Sequence, residues 1–69
     1  MNEIEILVNG KAVVALGDGT ILDLLIQIGM AGKRVAVECN REIVPRSTYG
    51  ERKVCDGDRF EIVVAVGGG

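Results

Sequence analysis

Gly67, Gly68 and Gly69 stand directly behind the apolar run FEIVVAV, with only the terminal carboxylate beyond them. A turn needs chain on its far side, so these glycines read as an extended tail whose working group is the Gly69 carboxylate. Three extended residues reach roughly 10 Å at ~3.3–3.6 Å each. Lacking Cβ atoms, they can thread a groove that any side chain would block. The chemistry this suits is activation of a carboxylate inside another protein's active site. The plainer alternative is a loose chain end of no consequence.

The rest of the chain offers no machinery for such a step. Histidine is absent, which removes the commonest general base and metal ligand together. Cys39 and Cys55 are not spaced as Cys-x-x-Cys, and two thiols without histidine do not close a zinc site. Both are expected to be small, partly buried packing residues of a reduced cytosolic protein. Gly17-Asp18-Gly19 and Asp56-Gly57-Asp58 are too short and too acidic to cradle a phosphate, and read as turns. No catalytic residue, metal site or bound cofactor is expected.

The net charge of −2 at pH 7, with eight basic residues scattered among ten acidic ones, does not suit a phosphate backbone. Two aromatics, Tyr49 and Phe60, make no stacking platform for bases. No apolar run approaches the length of a membrane span, and no basic-then-apolar leader opens the chain. The expectation is a cytoplasmic protein that binds neither nucleic acid nor membrane.

Something must hold the tail in place. EIEILVNGKAVVAL alternates apolar and polar residues on either side of Asn9-Gly10, the strongest short-range hairpin signal. Thr20 then caps a helix, with Asp23 placed as in a capping box. Ile21, Leu24, Leu25 and Ile28 form its buried stripe, widened by Leu22 and Ile26. Gly29 or Gly32 ends the helix after nine or ten residues. KRVAVECN alternates again, with Cys39 inward. Pro45 restricts Ile43-Val44 to a short edge strand. The last strand puts Phe60, Ile62, Val64 and Val66 on one face and Glu61, Val63 and Ala65 on the other.

The expected fold is therefore one α+β domain over residues 1–69, with a flexible tail at 67–69. It is a roll in which a mixed four- to five-stranded sheet carries one helix on one face. The opposite face is left uncovered. Leu7, Val63 and Ala65, with Ala36 beside them, are the candidates for a partner-binding patch there, rimmed by Glu3, Glu5, Glu38 and Glu61.

Taken in order, LVNG, TILDLL, RVAVECN…EIVPRS and DGDRFEIVVAVGGG resemble the ThiS-type sulfur carriers of thiamin biosynthesis, over essentially the whole chain. The resemblance implies a ubiquitin-like β-grasp fold and a reagent rather than an enzyme. It further implies that an E1-like adenylating enzyme uses Mg-ATP to adenylate Gly69. A sulfur donor such as a cysteine desulfurase persulfide would displace AMP and leave a thiocarboxylate, from which thiazole synthase would take the sulfur. Gly68 would complete the Gly-Gly signature, with Gly67 an extra residue. Three alternatives stay open: a carrier of the molybdopterin-synthase type, a β-grasp interaction module with an inert tail, and a modifier conjugated to other proteins through the tail.

Overall fold

The computed structural model describes residues 2–65. Five strands and one α-helix follow one another as β1 (Glu3–Val8), β2 (Lys11–Leu16), α1 (Ile21–Gln27), β3 (Val35–Cys39), β4 (Glu42–Ile43) and β5 (Arg59–Val64), with a 3₁₀ turn at Arg46–Thr48. They form one sheet in the order β2-β1-β5-β3-β4. β1 and β5 run parallel, and the other neighbours run antiparallel. The expected mixed sheet with one helix is what forms.

Each local signal has its physical counterpart. Asn9 and Gly10 take φ of 52° and 84° in the β1–β2 turn, as a two-residue hairpin requires. The capping box is complete: the Asp23 amide donates to Thr20 Oγ1, and the Thr20 amide donates to Asp23 Oδ2 at 2.9 Å. The helix is shorter than expected, seven residues, and Gly29 with φ 78° turns the chain away beyond it.

The buried stripe of the helix is also narrower than expected. Ile21, Leu24 and Leu25 are buried, while Leu22 and Ile26 are 44% and 59% exposed. The stripe was therefore not widened as the apolar pattern suggested. Two turns of helix present only one narrow face to a sheet.

The core sits between α1 and the sheet. Ile6, Ile21, Leu24, Val37, Val54, Phe60 and Cys39 are its most enclosed side chains. Cys39 packs there as expected, but Cys55 is exposed. Cys55 precedes the Asp56–Gly57 turn, and its amide is held by Asp58 Oδ2 at 2.9 Å. That loop position has no strand alternation to turn its side chain inward. Among the described residues no helix is long and apolar enough to cross a membrane.

Candidate functional site: the open sheet face and the root of the tail

β5 lies at the centre of the sheet and leads towards the C-terminus. Ala65, the last described residue, donates its amide to Arg34 O at 2.8 Å, so the chain is held in register with β3 up to that point. Gly67, Gly68 and Gly69 lie outside the described residues.

Directly paired residues share a face of the sheet, so the strand register defines the uncovered side. Ala36 faces Val63 and Glu38 faces Glu61 across β3–β5. Leu7 faces Arg59 across β1–β5 and Ala12 across β1–β2. Leu7, Val63 and Ala65 thus belong to one side, with Val63 58% exposed and Leu7 half-buried.

They do not form one continuous patch. Leu7 is level with Arg59, and Val63 lies four positions further along β5, about 13 Å at the rise of a strand. Arg59 and Glu61 occupy the space between. The face therefore has an apolar end at Val63, Ala65 and Ala36, where the described chain ends, and a charged middle. Leu7 begins a second apolar area that continues on β2, where Val14 and Leu16 are exposed opposite Glu5 and Glu3.

Sequence reasoning put Glu3, Glu5, Glu38 and Glu61 on this side as the rim of one patch. Glu38 and Glu61 instead lie in the middle of the face, because the β1–β5 register sets Leu7 four positions back from Val63. Arg59, Val14, Leu16 and Ile43 were missed. Ile43 faces Glu38 and is among the most exposed apolar side chains. Arg59 could have been found from alternation alone, since it shares parity with Glu61 and Val63.

Two asparagines fix β5 in this position. Asn9 Nδ2 donates to Ile62 O at 2.9 Å, and the Ile62 amide donates to Asn9 Oδ1 at 2.8 Å. Asn40, in the β3–β4 turn with φ 51°, treats Arg59 similarly. The Arg59 amide donates to Asn40 Oδ1, and the Asn40 amide donates to Arg59 O. Neither contact was foreseen.

Among the described residues, the two groups displaced from their ordinary pKa values lie away from this face, Cys39 in the core and Asp23 in the helix cap. Burial, with the Asp58 carboxylate second, pushes the Cys39 thiol above its ordinary value, which leaves less of the nucleophilic thiolate. Asp23 is held below the usual carboxylate range by the Thr20 amide and then its hydroxyl. That shift belongs to the helix cap.

The family model that matches residues 4–69 is that of the ThiS family. The chain belongs to the ThiS family. It is 48% identical over 62 residues to the sulfur carrier protein ThiS of Bacillus subtilis, covering 88% of this chain and 94% of that one. The crystal structure of the thiamine biosynthesis protein ThiS from Geobacter metallireducens superposes with a TM-score of 0.81 at 30% identity, covering 96% of this chain and all of that one. The fold is thus the ubiquitin-like β-grasp of ThiS. The chain is also 42% identical over 65 residues to a thiazole synthase of Paramagnetospirillum magneticum, spanning 94% of this ThiS-family chain but only 20% of that protein.

Proposed function

We propose that this protein is a sulfur carrier of thiamine biosynthesis that acts as a co-substrate rather than an enzyme. The supporting observation is its near full-length likeness to the Bacillus subtilis sulfur carrier. In this reading an E1-like enzyme uses Mg-ATP to join AMP to the Gly69 carboxylate, releasing pyrophosphate. A carboxylate is a poor electrophile, and the adenylate supplies a good leaving group. A cysteine desulfurase persulfide then attacks the carbonyl carbon and AMP departs. A thiol cleaves the resulting S–S bond and frees the thiocarboxylate.

Thiazole synthase is the proposed recipient. The thiazole synthase of Paramagnetospirillum magneticum contains a stretch resembling nearly all of this chain, which favours the synthase as the protein beside which such a domain works. Gly68 and Gly67 would pass through the narrow entrance, while Leu7, Val63 and Ala65 dock against the successive partners.

The test is mass spectrometry of the intact chain after incubation with the adenylating enzyme, Mg-ATP and a sulfur donor. Exchange of one oxygen for sulfur at Gly69 is expected. Deleting Gly69, or adding one residue after it, should abolish the exchange while leaving the fold intact. An adenylate or thiocarboxylate that forms equally well on the extended chain would overturn the assignment of Gly69.

A further inference from the structure

The hydrogen bonds of β5 alternate between its two neighbours. Ala65 bonds towards β3, through Arg34 O. The residues between these β3-facing positions turn the other way: Leu7 donates to Asp58 O, Asn9 donates to Phe60 O, and the Asn9 side chain takes both backbone groups of Ile62. Val64 is next in that series. Its amide and carbonyl therefore point to the β1 side. β1 pairing ends at Val8 with Phe60, and the chain turns back at Asn9-Gly10. Among the described residues no group bonds Val64 on that side.

An open donor and acceptor at the end of a central strand form a short unpaired sheet edge. Its flanks suit a strand: Val63 on the open face and Val64 on the helix face are 58% and 43% exposed, and both are β-branched. Val64 is also five residues from Gly69, within about 18 Å of extended chain.

We propose that Val64 offers its backbone N–H and C=O to an extended segment of thiazole synthase, which adds to the sheet and aligns the tail with that enzyme's active site. This rests on the carrier reading above, and the occupant is chosen because thiazole synthases contain a domain like this one. Backbone pairing supplies affinity with little demand on side chains.

Proline tests it directly. Val64→Pro removes an N–H that faces the open edge, where proline is tolerated, and exchanges a partly exposed side chain for another apolar one, so the domain should fold as the parent does. Ala65→Pro removes the bond to Arg34 O and should destabilise it. Titrated against thiazole synthase from the same cells, Val64→Pro is expected to bind at least about tenfold more weakly. Val64→Thr, which keeps the N–H, should bind within about twofold. Should Val64→Pro fold poorly, an ester replacing the Val63–Val64 amide removes the same N–H and is expected to show the same loss.

Parental affinity in the proline or ester variant would overturn the inference while leaving the carrier reading standing. So would a concentration-dependent dimer lost in Val64→Pro with synthase binding unchanged, since the edge would then serve a second copy of this chain. A parent chain that neither binds the synthase nor becomes a thiocarboxylate would overturn both.

Discussion

The side chain of Asn9 pairs with Ile62 as a strand backbone would, donating to its carbonyl at 2.9 Å and accepting from its amide at 2.8 Å. One residue thus turns the first hairpin, with φ 52°, and extends the parallel pairing of β1 with β5 by one further step. The position of the last strand depends on it.

Replacing Asn9 should separate these two roles. Asn9→Gly keeps the positive φ but loses both bonds, at a cost of about 2 kcal/mol if each is worth ~1. Asn9→Ala adds the left-handed penalty of about 1–2 kcal/mol. Urea denaturation should rank the proteins parent, glycine, alanine. Equal stability of the parent and Asn9→Gly would show the side-chain bonds to be of no consequence.

The helix cap predicts a pH dependence. The Thr20 amide lowers the Asp23 pKa below its ordinary 3.8, so the folded state binds its proton less readily than the unfolded chain does. Its stabilising effect is fully present above the ordinary value and is lost as pH falls through the lowered one. Stability measured across roughly pH 2 to 6 should therefore fall less steeply on the acid side in Asp23→Asn. An unchanged acid limb would place the titration elsewhere.

The thiols should differ in reactivity. Cys55 is exposed, whereas Cys39 is buried and its thiol is shifted upward. Brief alkylation of the native protein should modify Cys55 alone, with Cys39 reacting only on unfolding, as peptide mass mapping would reveal. Equal labelling of both would contradict the packing of Cys39 in the core.

Much of this architecture is legible from local pattern. Alternation gives the strands, Asn9-Gly10 the hairpin, and Thr20 with Asp23 the helix start, because each depends on neighbours a few residues away. What depends on distant partners is not legible. The Asn9–Ile62 pairing spans 53 positions, and nothing beside Asn9 signals it. The offset between Leu7 and Val63 follows from the parallel register of β1 and β5, which periodicity does not specify. Leu22 and Ile26 are apolar at helical spacing, yet only the packing of α1 on the sheet decides which of its residues are covered. The exposure of Cys55 follows from a loop held by Asp58, again outside any repeat.

The apolar end of the open face makes the last prediction. Val63 and Ala65 are exposed where the described chain ends, and Val63 faces the small Ala36. Val63→Asp and Ala65→Asp should therefore cost the domain little stability, since surface changes away from special features fall within about 0.5 kcal/mol. A charge set into an apolar contact must be desolvated when the partner docks. Each variant should bind the adenylating enzyme and thiazole synthase about tenfold more weakly or worse. Leu7→Asp, about 13 Å away along the sheet and beyond Arg59 and Glu61, separates a small docking area from a large one. If its effect matches that of Val63→Asp, the partner covers the whole face including the charged middle. If it binds as the parent does, docking is confined to the end from which the tail departs. Parental affinity in both Val63→Asp and Ala65→Asp would remove this face from the interaction altogether.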